Sequence, residues 1–145
     1  MKQLNIFLMF LLFAACEKED NFAGAPNSSC GSAIEVNPDR ADDLSDNFDL
    51  LAATVEGKCL EVTIATSGCS SEGWQLELVT GGRISESTPT QSTARLLFSD
   101  PAAGSVTCQA YLEETYQFDL SDYLTDEVLP TQFSLLDTEL VFTVD

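Results

Sequence analysis

The sequence predicts an all-β domain, namely an antiparallel β-sandwich of immunoglobulin-like type with seven to eight strands, stapled by disulfide bonds. Apolar and polar residues alternate in short stretches from residue 50 onward, which is typical of strands with one buried face. Clusters of Gly, Ser, Pro, Asn and Asp separate these stretches at a spacing that favours two packed sheets. An even number of cysteines, four, follows residue 16, as expected for disulfide bonds.

The clearest predicted strand covers residues 59–65, where Leu60, Val62 and Ile64 share one face. The same alternation recurs at residues 74–79, 94–98, 106–112, 115–120, 132–136 and 139–144. We expect residues 30–145 to form a single domain, because a chain of this length supports one core.

The N-terminus reads as a bacterial lipoprotein signal peptide covering residues 1–15. The apolar run at residues 4–13 is too short to cross a bilayer as a helix. The sequence F-A-A-C resembles a lipobox, in which the thiol of Cys16 is acylated with palmitate-like chains and becomes the first mature residue. The alternative is an ordinary secreted protein cleaved after Ala15.

Residues 16–29 have the composition of a lipidated, flexible tether. Within it, Lys18, Glu19 and Asp20 resemble the surface-export signal of Bacteroidota lipoproteins. This resemblance predicts anchoring in the outer membrane with the domain exposed at the cell surface. The alternative is a solvated charge cluster without a targeting role.

A second acidic stretch covers residues 37–49 and contains five aspartates: Asp39, Asp42, Asp43, Asp46 and Asp49. Clustered carboxylates can bind calcium, but the stretch lacks the spacing and closing Glu of an EF-hand loop. We therefore favour a solvated segment over a calcium site.

The composition argues against several classes of function. A net charge of −18 disfavours binding to nucleic acid and direct adsorption on anionic lipid. The chain contains no His, which removes Ser–His and Cys–His catalysis and His-ligated metals. Glu113 and Glu114 are adjacent on a predicted strand and would point to opposite faces, so they cannot flank one bond. We expect no enzyme activity, no cofactor and no metal site.

Cys30, Cys59, Cys69 and Cys108 predict two disulfide bonds in an exported domain. A zinc site made of four thiolates is disfavoured because no two of these cysteines have C-x-x-C spacing. The residues alone leave three pairings open.

Three stretches, residues 66–78, 88–98 and 108–121, resemble small, uncharacterised β-sandwich lipoproteins of the Bacteroidota, of flavobacterial type. The shared pattern is a strand, a turn with a cysteine, a strand, a Pro-containing loop, a strand, a Cys-x-Ala strand and a Phe-Asp-Leu-Ser strand end. Ser67 departs from the pattern, which has Gly there. Some relatives carry acidic–His pairs where Ser71, Glu72 and Gly73 stand, and that metal role would be lost here.

The resemblance implies a bridge between Cys69 and Cys108, which leaves Cys30 to pair with Cys59. It places Cys108 within a strand, and the Cys30 bridge would tie an otherwise loose N-terminal arm to the domain. It carries no catalytic residues.

The aromatic residues offer one ligand-binding candidate. Trp74 shares a predicted face with Leu76 and Leu78, which indicates core packing. Tyr111 lies on the face opposite the apolar one in residues 106–112, so we expect it to be exposed and able to stack on a sugar.

These features predict a surface-exposed, outer-membrane lipoprotein with a non-catalytic binding or structural role, held to the membrane by its N-terminal lipid. One alternative is a carbohydrate-binding accessory of a glycan-uptake system. Another is an acidic envelope-assembly or inhibitor protein with a basic protein partner.

Overall fold

The computed structural model describes residues 30–104 and 108–145, and these residues form an all-β fold without a helix. The strands in chain order are β1 Ser32–Ala33, β2 Glu35–Val36, β3 Asp49–Glu56, β4 Cys59–Gly68, β5 Gln75–Thr80, β6 Ile84–Ser85, β7 Thr90–Ser99, β8 Ala110–Asp119, β9 Thr131–Leu135 and β10 Val141–Val144. Of these, β1, β2 and β6 have only two residues each. The described part thus has ten strands, seven of them with four or more residues, against the seven to eight strands that the sequence predicts.

The strands form two sheets of mixed direction. One sheet has four strands in the order β1-β8-β4-β3, and the other has the order β10-β9-β7-β5-β2 with β6 paired to β7. Three pairs are parallel: β1 with β8, β2 with β5, and β7 with β9. The expectation of a purely antiparallel fold is therefore wrong. Alternation reports which face of a strand is buried and carries no information on the direction of its neighbour.

Both sheets bury one face in a shared hydrophobic cluster. Leu60, Val62 and Ile64 of β4 are fully buried, as the alternation predicts, whereas Glu61 between them is exposed. The six-stranded sheet contributes Leu76, Leu78, Ala94, Leu96, Phe98, Phe133, Leu135 and Val144. Burying each large apolar side chain stabilises the fold by about 1.5–3 kcal/mol.

Trp74 belongs to this core, as predicted. Its side chain is buried, and its ring meets Phe98 edge-on with the ring centroids 5.3 Å apart. The indole N–H has no hydrogen-bond partner among the described residues, so Trp74 stabilises the fold through apolar contact.

Two strands expected at residues 106–112 and 115–120 correspond to one strand in the structure. β8 pairs with β4 without interruption from Ala110 opposite Gly68 to Asp119 opposite Cys59. Glu113 and Glu114 break the apolar pattern, but both are exposed and the backbone pairing continues through them. Cys108 precedes this strand, so its expected position within a strand is wrong.

The alternation did not indicate β3 because four apolar residues follow one another from Leu50 to Ala53. The structure explains the run: the pairing of β3 with β4 is irregular between Leu50 and Ala52. Such an irregularity shifts which residues face the core, so strict alternation is lost.

Disulfide bonds join Cys30 to Cys59 and Cys69 to Cys108, which confirms the implied pairing. The N-terminal arm is not loose, however. Through β1 it pairs with the four-stranded sheet, and through β2 it pairs with the six-stranded sheet, with Ile34 buried between the two strands. No helix of the described part is long and apolar enough to span a bilayer.

Candidate functional site

The predicted anchoring residues, Cys16, Lys18, Glu19 and Asp20, lie outside the described residues, as does the predicted signal peptide. Lipidation and surface export therefore stay predictions. The candidate surfaces of the described domain are built around the acidic stretch that precedes β3.

Residues 43–48, which we call the acidic loop, precede β3 and are held against the end of β7. The Ser45 hydroxyl accepts a hydrogen bond from the Phe98 N–H at 2.9 Å, and the Asp46 N–H donates to the Phe98 carbonyl at 2.9 Å. The Asp46 carboxylate in turn accepts from the Asp100 N–H at 2.9 Å. Short polar side chains thus satisfy backbone groups at a strand end and fix the path of the loop.

Arg40 anchors the chain just before this loop. Its guanidinium binds Glu35, Glu77 at 2.6 Å and Asp43 at 3.2 Å. The hydrogen bonds that the guanidinium donates to Glu77 and Asp43 raise the pKa of Arg40 above its ordinary value, so the side chain stays charged. The cation therefore joins the acidic loop to β2 and β5.

Arg95 of β7 binds Asp42, just before the loop, at 3.8 Å and Asp137 at 2.9 Å. The acidic stretch is largely exposed, as expected of a solvated segment, yet ion pairs hold it in place. Residues 30–104 and 108–145 contain no group of three or more His, Cys, Asp or Glu side chains placed to hold a metal ion.

An open groove of about 480 Å³ separates the acidic loop from the turn at residues 136–138. Its apolar lining comes from Leu44, Phe48, Leu50, Leu96 and Leu136. Leu44 is 99% exposed, while Arg95 and Asp137 form a charged wall. A groove with an apolar lining and a few polar groups is the usual form of a ligand site.

Tyr111 lies in a shallow depression on another side of the acidic loop, together with Asn47, Thr66 and Ser67. Its side chain is 52% exposed, as the sequence predicts. The phenol donates a hydrogen bond to the Asp49 carboxylate at 2.8 Å, and this bond raises the pKa of Tyr111. The bond spans β4, since Asp49 belongs to β3 and Tyr111 to β8, and it fixes the ring at the surface.

The other tyrosines are less accessible. Tyr123 is buried and donates a hydrogen bond to the Arg83 carbonyl at 2.9 Å. Tyr116 is half-buried on the opposite side of β8 from Tyr111. Among the tyrosines, all of which lie in the described part, Tyr111 is thus the one with an exposed ring.

The outward side of the four-stranded sheet is an acidic face. The register of β3, β4 and β8 places five carboxylates on it: Asp49, Glu56, Glu61, Glu113 and Asp119. These three strands contain no Lys or Arg. Lys58, in the turn between β3 and β4, is bound to Asp126 at 2.8 Å. The face therefore carries concentrated negative charge.

Sequence reasoning found Tyr111 but missed the groove and the bond from Tyr111 to Asp49. The aspartates of the acidic loop were visible as a charge cluster. The hydrogen bonds of Ser45 to Phe98 and of the Asp46 carboxylate to Asp100 were not visible, because nothing in the local sequence says which distant strand end these residues meet.

The fold is similar to the crystal structure of a protein of unknown function, DUF1344, from Bacteroides vulgatus ATCC 8482. The TM-score is 0.53 at 17% sequence identity, and the match covers 79% of this chain and 56% of that one. The chain thus spans little more than half the length of that protein. At this identity the likeness concerns the fold alone. Comparisons with protein-family models and with curated proteins find no match.

Proposed function

We propose that this protein is a lipid-anchored, non-catalytic binding protein of the bacterial outer membrane, with its domain exposed at the cell surface. The observation that carries the proposal is a pair of disulfide bonds in a domain preceded by an apolar run that ends at Cys16. Disulfide bonds persist in oxidising compartments outside the cytoplasm. The lipobox resemblance then favours an anchor over free secretion.

We further infer that the two sheets form an immunoglobulin-like sandwich that acts as a rigid support. The shared hydrophobic cluster supports face-to-face packing of the sheets. A non-catalytic role is favoured by the absence of His from the whole sequence and by the engagement of Arg40 and Arg95 in structural ion pairs.

Metabolic labelling with palmitate tests the anchor. The Cys16→Ala variant should incorporate no label, whereas Ser29→Ala, in the same tether, should be labelled like the wild type. Equal labelling of the Cys16 variant would refute the lipoprotein assignment.

Antibody staining of intact cells tests surface exposure. Replacing Lys18, Glu19 and Asp20 together by Ala should abolish staining while the amount of lipidated protein stays the same. Unchanged staining would mean that these residues are only part of the tether.

The depression at Tyr111 favours a glycan as one candidate ligand. An exposed aromatic ring can stack on a sugar, while Asp49 and Asn47 beside it supply acceptors and donors for hydroxyl groups. This is the surface that a carbohydrate-binding accessory of a glycan-uptake system would use.

A glycan array tests this candidate. We expect Tyr111→Ala to abolish binding and Tyr111→Phe, which keeps the ring but loses the bond to Asp49, to weaken it. Binding that Tyr111→Ala leaves unchanged, or no binding to any glycan, would refute a sugar site here.

The remaining candidate, a basic protein partner, is favoured by the acidic face.

A further inference from the structure

Among the described residues, one edge of the four-stranded sheet is open along most of β8. On this side β8 pairs with β1, but β1 covers only Phe118 and Asp119. Within residues 30–104 and 108–145, no strand pairs with residues 110–117 on the same side. An uncovered strand edge presents free backbone donors and acceptors to any extended chain.

The structure shows which backbone groups face this edge. The Ile34 N–H donates to the Asp119 carbonyl at 3.0 Å, so the polar backbone groups of Asp119 point away from β4. Because backbone direction alternates along a strand, those of Tyr111, Glu113 and Thr115 point the same way. A Cβ on Gly31 would lie 2.0 Å from the Gln117 carbonyl oxygen, so Gly31 already covers Gln117.

β8 lacks three of the common protections of a strand edge. It contains neither Lys nor Pro, and its pairing with β4 has no bulge. The chain's own β1 shows that a strand can add to this edge in parallel.

We propose that the open edge of β8 binds an extended, Lys- or Arg-rich segment of a partner protein as an added strand. The inference rests on the proposed binding role and names its partner class. Glu113 and Glu114 project to opposite faces of the edge, and Glu113 belongs to the acidic face that Glu61 and Asp49 extend. Basic side chains at alternate positions of an added strand share one face and can meet the negative charge of the acidic face there.

A second copy of this chain fits the edge poorly. Two β8 edges paired in antiparallel fashion would bring Glu113 and Glu114 of one copy close to the same residues of the other. Like charges in opposed positions destabilise strand pairing. The acidic edge thus disfavours self-association and selects a basic strand.

The test uses the mature protein purified from its producing cells and a short synthetic peptide that alternates Lys with Val. We expect this peptide to bind and to slow amide hydrogen exchange in residues 110–117. An equivalent peptide with Glu in place of Lys should bind at least tenfold more weakly. A Lys peptide N-methylated at alternate backbone nitrogens should also bind at least tenfold more weakly, because it cannot form all the backbone hydrogen bonds of a strand pair. Equal binding of the N-methylated peptide would show attraction by charge alone and overturn the proposal.

Thr115→Pro removes an edge-facing N–H without removing a hydrogen bond to β4, and should weaken peptide binding at least tenfold. Thr115→Val is the matched control, because it also loses the hydroxyl contact with Thr63 but keeps the N–H. Equal affinities of the two variants would refute strand addition.

Two more variants keep the test decisive if Thr115→Pro does not fold. Glu113→Lys should weaken binding, while Glu139→Lys, in the turn of the other sheet, should not. Equal effects of these charge changes, or a stable dimer of the unliganded protein in sedimentation, would also contradict the proposal. Palmitate labelling at Cys16 does not depend on peptide binding. The experiments therefore distinguish a failure of the proposed lipid anchor from a failure of the proposed strand addition at β8.

Discussion

Cys59 is the first residue of β4 and Cys69 follows its last, so one strand carries a disulfide bond at each end. β4 lies between β3 and β8 in the four-stranded sheet. The bridge from Cys69 leads to Cys108, just before β8, and the bridge from Cys59 leads to Cys30, just before β1. One covalent link therefore joins β4 to its neighbour β8, and the other joins β4 to the chain just before β1, the strand on the far side of β8.

We expect the two disulfide bonds to contribute almost equally to the free energy of unfolding. They span 29 and 39 residues, and in the loop-entropy model each stabilises by about 3–4 kcal/mol. Denaturant unfolding of the two double Cys→Ser variants measures this. In the variant lacking the Cys30 bridge, amide exchange should also rise at Ser32–Ala33. A bridge whose removal costs under about 1 kcal/mol would contradict the model.

Gly31→Ala should destabilise the protein by about 1–3 kcal/mol, because the new methyl group would overlap the Gln117 backbone. Gly68→Ala is the control: its nearest neighbour would be 3.6 Å away, an ordinary contact. Thermal unfolding of both variants checks the difference. If Gly31→Ala is as stable as Gly68→Ala, the close approach of β1 to β8 does not exist in solution.

All three tyrosines should ionise above their ordinary pKa of about 10 in the folded protein. The hydrogen bond to Asp49 raises the pKa of Tyr111, and burial raises those of Tyr116 and Tyr123. Because the pKa of each tyrosine is raised in the folded protein, the stability that its protonated phenol contributes is fully present below pH 10. It is lost as the pH rises through the folded pKa.

Phenolate absorbance during alkaline titration measures these pKa values. Asp49→Asn should lower the pKa of Tyr111 alone, and Glu72→Gln serves as a control at an exposed acid. Tyrosines that titrate together at pH 10 in the native protein would contradict the packing described here.

Asp119 should contribute stability that acid removes. Hydrogen bonds from Ser121 lower the pKa of Asp119, so its contribution is present above the ordinary value near 4 and is lost as the pH falls through the lower folded value. Asp119→Asn should therefore reduce stability at pH 7, and the difference from wild type should shrink below pH 4. Asp122→Asn, in the following turn, is the control. A stability difference between Asp119→Asn and wild type that stays the same below pH 4 would contradict a lowered pKa of Asp119.

The sequence predicted those features that depend on one strand at a time. Leu60, Val62 and Ile64 are buried because alternation reflects the geometry of a single half-buried strand. The burial of Trp74 and the exposure of Tyr111 follow from the same rule. The cysteine pairing came from the resemblance, since spacing alone left three choices open.

Features that depend on distant partners could not be predicted. Tyr111 and Asp49 are 62 residues apart in the sequence. Their hydrogen bond exists only because a single strand, β4, lies between β3 and β8. The parallel pairing of β7 with β9 and the docking of Ser45 on Phe98 depend on topology in the same way. Local propensity carries no information on such partners.

The position of β1 beside β8 has a consequence for the order of assembly. Ser32 pairs with Phe118, so the first strand waits for a partner near the other end of the chain. The six-stranded sheet likewise needs β9 and β10. The four-stranded sheet cannot close before β8 has left the ribosome, and the six-stranded sheet cannot close before β10 has done so. Such non-local pairing slows folding to the millisecond-to-second range. A nascent chain of this protein therefore cannot complete either sheet before these strands have been made, and an incomplete fold can still be threaded through a narrow pore.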